Sequence, residues 1–235
     1  MIPLVLGPTA VGKTSLLLEI AGRLPIEVIS VDSRQIYRFM DIGTAKPTRT
    51  ELSLLKHWLI DIRDPDESFD VMEFRKLSLE FIAEIKSRGK IPVLAGGTGL
   101  YADALIRGLA DVPARDENIR EALLQIESQK KGFLRELLRK VDPKAFETIH
   151  ENDLKRTVRY LEVFLRTGKP LTEFHKESEM SGEFGIVILQ RERDELHRRI
   201  EARVRRMIDS GLAEETERLL EMGYAPALTA LKTIG

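Results

Sequence analysis

The chain has 235 residues, 43% of them hydrophobic and 32% charged, a balance typical of globular proteins and unlike that of disordered or fibrous ones. The absence of cysteine excludes thiol nucleophiles, disulfides and cysteine-ligated metal, and no apolar stretch approaches the roughly 18 residues that cross a membrane. With 37 Lys and Arg against 38 Asp and Glu, any nucleic acid must meet a local basic face, since no global positive field exists to steer it. His57, His150, His175 and His197 show no metal-ligand spacing. The first residues carry no basic n-region, so the expectation is a cytoplasmic protein without a membrane partner.

Short runs rich in Val, Ile and Leu alternate with helical patterns, which predicts an α/β fold with a parallel sheet flanked by helices. The expected strands are 2–6, 27–31, 58–62, 91–95 and 185–189. A helix is expected over 13–24. Another is expected over 70–88, with Asp70 and Glu73 spaced as a capping box and Gly89 at its stop. Phe74, Leu77, Phe81 and Ile85 recur at helical spacing and should face the sheet. From 111 to 180 the strand signals vanish and turn residues punctuate helices, as in Asp142-Pro143, Asn152-Asp153 and Gly168-Lys169-Pro170. The expected organisation is therefore a core of 1–110 and 181–235 carrying an inserted all-helical subdomain. After it comes an Arg-rich helix with Leu196, Ile200, Val204 and Ile208 as an apolar stripe.

The strongest local signal is Gly7-Pro8-Thr9-Ala10-Val11-Gly12-Lys13-Thr14, a complete G-x-x-x-x-G-K-[ST] phosphate loop between a strand and a helix. Its glycines let several N–H groups converge on one anion, and the helix N-terminus adds partial positive charge. Lys13 is placed to reach the distal phosphate and Thr14 to offer its hydroxyl to magnesium. Such a cradle serves ATP, another nucleotide or any other diphosphate. The later strand 91–95 runs into Gly96-Gly97-Thr98-Gly99 and lacks the magnesium-holding carboxylate of nucleotide hydrolases. A guanine-specific Asn-Lys-x-Asp sequence is also missing, which counts against a GTPase or motor ATPase.

Asp32 ends the second strand, and in an open parallel sheet the carboxyl ends of strands line the ligand crevice. It can accept a proton from a nucleophile, bind magnesium through water or merely cap the following turn. Gln35 and Tyr37 are placed either to meet a base or to pack. The glycines around Thr98 permit close backbone approach to a ligand at the same crevice, or form a plain strand-to-helix turn.

In chain order, GPTAVGKT (7–14), ISVDSRQIY (29–37), MDIGTAKP (40–47), HWLIDIRDP (57–65) and IPVLAGGTGLY (91–101) resemble the bacterial tRNA dimethylallyltransferases, also called tRNA isopentenyltransferases. The resemblance continues through Asp142-Pro143, Ile149-His150, Asn152-Asp153, residues 156–160, the helix 196–207 and Lys232-Thr233-Ile234-Gly235. It implies a P-loop NTPase-like fold and transfer of a dimethylallyl group from dimethylallyl diphosphate to N6 of the adenosine 3′ to the anticodon. Under that resemblance Gly7 to Thr14 hold the diphosphate with magnesium on Thr14, and Asp32 is the general base. Asp32, Ser33, Arg34 and Gln35 lie against the flipped adenine, and Thr98 and Arg120 near the RNA. Arg156, Thr157, Val158, Arg159 and Tyr160 meet the anticodon loop, and Arg203 contacts diphosphate or RNA backbone. The implied partners are the tRNA anticodon stem-loop and dimethylallyl diphosphate, with the enzyme a monomer.

The residues alone leave alternatives open. A small P-loop kinase with Asp32 activating a substrate hydroxyl fits the same motifs, as does an RNA-binding module with a vestigial phosphate loop. Arg156 and Arg159 also fit a solvated helix face, and the Arg-rich helix fits surface pairing with Glu195, Glu201 or Glu214. The family pattern runs past an Ile-Gly-Tyr-Lys-Glu stretch, whereas the sequence ends at Gly235; a truncated chain with weakened tRNA affinity is expected on that ground.

Overall fold

The computed structural model describes residues 1–109, 112–174 and 183–231. The matched segment 232–235 and the residues around both expected domain boundaries thus lie outside the described residues. The chain divides into two compact units, Met1–Arg107 with Met180–Gly235, and Gly108–Glu179.

In the first unit, β1 (Ile2–Leu6), β2 (Ile26–Val31), β3 (His57–Trp58), β4 (Ile91–Gly96) and β5 (Phe184–Ile188) form one sheet in the order β3-β2-β4-β1-β5. Every pairing is parallel. A parallel sheet is covered on both faces, and so its central strands are apolar throughout; all six residues of β2 are buried. Neighbouring residues point to opposite faces. Leu4, Ile29 and Leu94 pack with Phe74 and Ile85 of α3 (Val71–Ser87) and Tyr101 and Leu105 of α4 (Gly99–Arg107). Val5, Val28 and Val93 pack with Leu17 of α1 (Lys13–Ala21) and with Leu55, which follows α2 (Arg49–Leu54). Phe74 stacks on Tyr101 with ring centroids 4.1 Å apart, and burial of its side chain stabilises by roughly 2–3 kcal/mol.

At the opposite end of β2 from Asp32, Glu27 is only 1% exposed and gathers four donors. Arg88 gives two hydrogen bonds of 2.9 and 2.8 Å, and Lys90 and the Trp58 indole one each at 2.8 Å. Burial pushes its carboxyl up, but the bonds from Arg88, Lys90 and Trp58 outweigh it and hold the pKa at about 2.

Several expectations are corrected. The third strand stops at Trp58, because Leu59 (φ 63°) and Asp61 (φ 56°) take left-handed backbone; the chain then turns to pair with 35–36 through Asp61 N–H to Gln35 O at 3.2 Å and Ile62 N–H to Ile36 O at 2.8 Å. The first helix ends at Ala21, short of residue 24. Asp70 caps α3 by accepting the Glu73 N–H at 2.9 Å, while the Glu73 carboxylate pairs with Arg63. Only half of a capping box therefore forms. The last strand lies one residue earlier than expected.

The remaining helices of this unit follow the insertion: α10 (Arg193–Asp209) and α11 (Leu212–Glu221). The stripe on α10 is not a core face in the described structure, with Val204 46% and Ile208 62% exposed.

The second unit contains α5 (Glu117–Gln129), α6 (Phe133–Val141), α7 (Pro143–Thr148), α8 (Leu154–Thr167) and α9 (Leu171–Phe174). Asp116, Asp142 and Asp153 cap α5, α7 and α8 by accepting first-turn N–H groups, each worth about 1 kcal/mol. Gly168, at φ 70°, ends α8 in the left-handed conformation that glycine adopts without strain. Leu123, Leu134, Leu138, Ala145, Ile149, Val158 and Leu161 give this unit a core of its own.

Candidate active site

The sheet register brings the strand ends to one level: Leu6 lies opposite both Gly96 and Ile188, and Val31 opposite Gly96. The segments after β1, β2, β4 and β5 therefore share one edge of the sheet, where ligands of open α/β folds bind. Close approach there is enforced by glycine. A Cβ on Gly96 would lie 2.0 Å from Val31 O, and one on Gly7 2.8 Å from Leu189 O.

The phosphate loop turns into α1 through Gly12, whose φ of 110° lies in the left-handed region, and no side chain caps this helix. Its first-turn N–H groups are thus available to an anion. Lys13 spans the loop, donating to Gly7 O at 2.8 Å and Pro8 O at 2.9 Å. Burial lowers the Lys13 ammonium from its usual value, opposed by the charge of Asp32 and reinforced by that of Arg203. The guanidinium of Arg203 is likewise lowered by burial, opposed by Asp32 and reinforced by Arg206. Lys13 and Arg203 thus both sit in the field of Asp32, two desolvated cations poised for an anionic ligand.

Asp32 Oδ1 accepts from Arg34 N–H at 2.8 Å and Gln35 N–H at 3.3 Å, an Asx turn that fixes the carboxylate. This is the turn-capping role, and it leaves the second oxygen, Oδ2, without a hydrogen bond among the described residues. Thr98 Oγ1 accepts Ser33 N–H at 3.2 Å, so the glycine-rich loop buttresses the Asp32 turn. Gln35 is engaged at both ends, its Oε1 accepting from Ser30 Oγ at 3.1 Å and its Nε2 donating to Thr44 O at 3.4 Å and Ala45 O at 3.2 Å. Tyr37 is 4% exposed, which settles it as packing. The half-buried Arg34 side chain has no hydrogen bond or ion pair among the described residues.

A family model described as IPP transferase matches residues 35–235. The chain belongs to the IPP transferase family. A tRNA dimethylallyltransferase of Kosmotoga olearia is 57% identical over 234 residues, covering 100% of this chain and 76% of that protein. The enzyme of the same name from Thermotoga maritima is 51% identical, with 100% and 77% covered. Among solved structures, a tRNA isopentenylpyrophosphate transferase of Bacillus halodurans is 40% identical with a TM-score of 0.67, covering 100% of this chain and 74% of that one. A eukaryotic dimethylallyltransferase acting on tRNA is 27% identical with a TM-score of 0.80, covering 97% and 57%.

Within the helical unit of this IPP transferase, the residues expected at RNA differ in their surroundings. Thr157 and Val158 are 2% and 3% exposed, with the Thr157 hydroxyl on Asp153 O at 3.0 Å; these two serve the helical core and are closed to RNA. Arg120 and Arg159 hold the buried Glu162 at 3.1 and 2.9 Å, and Asp116 N–H binds its other oxygen at 2.5 Å. Burial raises the Glu162 carboxyl, but these bonds win and hold it below its ordinary value. Arg159 also donates to Pro113 O at 2.9 Å. Arg156 alone projects, its side chain 70% exposed beside Asp153 at 3.3 Å. Tyr160 is half-buried, and burial raises its phenol.

Sequence reading missed two positions at the phosphate loop. Arg191 Nε donates to Val11 O and Arg199 Nε to Ala10 O, both at 2.8 Å. Glu195 orients the pair, 2.6 Å from Arg191 and 3.9 Å from Arg199. Arg199 was visible as one of a row of arginines on α10, and its pairing with Glu195 was one of the alternatives; its grip on a backbone carbonyl has no sequence signal. Ala10, at φ 62°, shows that this loop is held in strained backbone.

Proposed function

We propose that the chain is a tRNA dimethylallyltransferase that moves a dimethylallyl group from dimethylallyl diphosphate to N6 of an adenosine beside the tRNA anticodon, releasing diphosphate. The observation that carries the reading is a phosphate loop whose desolvated Lys13 and Arg203 share the field of one turn-locked carboxylate, Asp32. The sequence similarity to enzymes of that name supports it over the kinase alternative. No helix among the described residues is long and apolar enough to cross a membrane.

The chemistry follows from the positions. Residues Gly7 to Thr14 bind the diphosphate through backbone N–H groups at the start of α1, and Lys13 and Arg203 neutralise the charge that builds on it as the carbon–oxygen bond breaks. Magnesium would be held here by the Thr14 hydroxyl at the start of α1 together with waters and substrate phosphate oxygens, since the described residues offer no group of three or more acidic or histidine side chains for it. When bound, the ion supplies further charge stabilisation to the leaving group. Asp32, with Oδ2 open, orients the adenine amine and accepts its proton. Because the allylic carbon departs as a stabilised cation-like centre, positioning and leaving-group stabilisation carry most of the rate.

The adenine must leave its stack to reach Asp32, a cost of a few kcal/mol that is smallest in a loop. Arg34 and Ser33 lie beside Asp32 for contact with the base, Gln35 and Thr98 shape that surface, and Arg156 meets the RNA from the helical unit. The protein acts as a monomer in this reading. The test combines labelled dimethylallyl diphosphate, magnesium and unmodified tRNA with the parent chain and with Asp32→Ala. Label in RNA from the parent alone is expected; no label from the parent, together with phosphorylation of a small molecule from ATP, would replace the transferase reading with the kinase.

A further inference from the structure

The segment 40–46, next to the Asp32 turn, is held by a carboxylate distant in sequence. Glu215 of α11 is 5% exposed, and its two oxygens accept three successive backbone N–H groups: Asp41 at 2.8 Å, Ile42 at 2.7 Å and Gly43 at 3.0 Å. Hydrogen bonds to an ionised acceptor are roughly twice as strong as neutral ones, and three converging on one carboxylate impose a single backbone path. That path continues directly. Thr44 O and Ala45 O accept from the Gln35 side-chain amide, and the backbone N–H of Gln35 donates to Asp32 Oδ1 at 3.3 Å.

The segment needs this restraint. Phe39 and Ala45 take left-handed backbone at φ 67° and 47°, conformations that persist in non-glycine residues only where the surroundings over-determine them. Lys46 closes the far end, its ammonium on Tyr37 O at 2.7 Å, Asp41 Oδ1 at 2.6 Å and Asp61 Oδ1 at 2.5 Å. Glu215 therefore stands at the head of a connected relay that ends at the carboxylate of Asp32.

We propose that Glu215 is a positioning residue for the transfer reaction, setting the 41–45 backbone so that Gln35 and Asp32 present the base-side surface of the site. It rests on the transferase reading and goes beyond it, because Glu215 touches neither the phosphate loop nor Asp32. Its influence is confined to the adenine side, so its loss separates turnover from diphosphate binding.

The experiment compares the parent chain with Glu215→Gln, whose amide presents a donor to at least one of the three N–H groups. Transfer to tRNA is measured under saturating dimethylallyl diphosphate, pyrophosphate binding with magnesium by calorimetry, and folding by circular dichroism. Expected are a kcat lowered by about tenfold or more, the equivalent of about 1.4 kcal/mol, with pyrophosphate affinity within about twofold of the parent. A kcat within about twofold of the parent, or a fall in kcat matched by an equal fall in pyrophosphate affinity, overturns the proposal. Should Glu215→Gln not fold, Gly43→Pro decides by the same criteria. It deletes one donor to Glu215 while placing proline second in the turn closed by Ala45 N–H on Ile42 O, a position that proline favours. A parent chain without transfer activity would sink the transferase reading itself, a result distinct from either outcome for Glu215.

Discussion

The hydroxyl of Thr98 accepts the N–H of Ser33 at 3.2 Å and so ties the loop after β4 to the turn that carries Asp32. A net hydrogen bond contributes about 1 kcal/mol. Thr98→Ala is therefore expected to slow single-turnover transfer by about fivefold with pyrophosphate affinity unchanged, and Thr98→Ser to restore most of the rate. An alanine variant at the parent rate would remove Thr98 from the site.

Lys13 sets function against stability. Its ammonium is desolvated and its pKa lies below the ordinary 10.5, so the folded state gives up the proton more readily than the unfolded chain. The destabilising effect is fully present below the folded pKa and is relieved as pH rises from there towards 10.5. Lys13→Met should raise the unfolding midpoint at neutral pH while removing measurable pyrophosphate binding. A midpoint that falls contradicts this account of the burial.

Arg191 and Arg199 fix the carbonyls of Val11 and Ala10, which turns the intervening N–H groups toward a phosphate. Replacing either with alanine is expected to weaken pyrophosphate binding by about tenfold, and the double variant by less than the product, as coupled neighbours do. Arg199→Lys should not rescue, because a point ammonium does not reproduce the planar fork. Calorimetric titration of the parent and the four variants gives the answer.

Glu27 makes the first unit sensitive to acid. Its carboxyl is held at about 2 against an ordinary 4.5, so the stabilisation is present above about 4.5 and is lost as pH falls towards about 2. The shift corresponds to about 3 kcal/mol. Denaturant unfolding between pH 5 and pH 2 should show that loss in the parent and little of it in Glu27→Gln, which begins less stable. Parallel curves for the two chains would count against the assignment.

In the helical unit, Arg156 and Arg159 separate by role. Arg156→Ala is expected to weaken tRNA binding by roughly threefold to tenfold at low salt, and to flatten the salt dependence by about one unit of slope, with the unfolding midpoint unchanged. Arg159→Ala instead lowers the midpoint, because it leaves the buried Glu162 short of a partner. Filter binding across a salt series, paired with thermal melts, separates the two.

The sheet, the phosphate loop and the insertion were legible because each rests on local pattern: continuous apolar runs, glycines at fixed offsets, and a change of hydrophobic period. The place of Asp32 just after β2 was legible for the same reason, as an acid closing a strand. What the pattern concealed depends on long-range geometry. The strand expected over 58–62 broke because Leu59 and Asp61 pair with 35–36 in left-handed backbone, which no propensity anticipates. Thr157 and Val158 lay within a family motif, yet helical periodicity turns half of any such block inward. Glu215 was passed over because one glutamate among many on an exposed helix looks like solvation until its three N–H partners, more than 170 residues earlier, are seen.

The contact of Gly96 with Val31 gives the site a fixed gauge. With 2.0 Å between a would-be Cβ and the Val31 oxygen, even alanine acts as a wedge between β2 and β4, and it moves the Asp32 turn and the Thr98 loop apart together. The separation of those two loops is thus set by the absence of an atom, and a change at Gly96 alters the spacing of that edge of the sheet without touching any side chain of either loop.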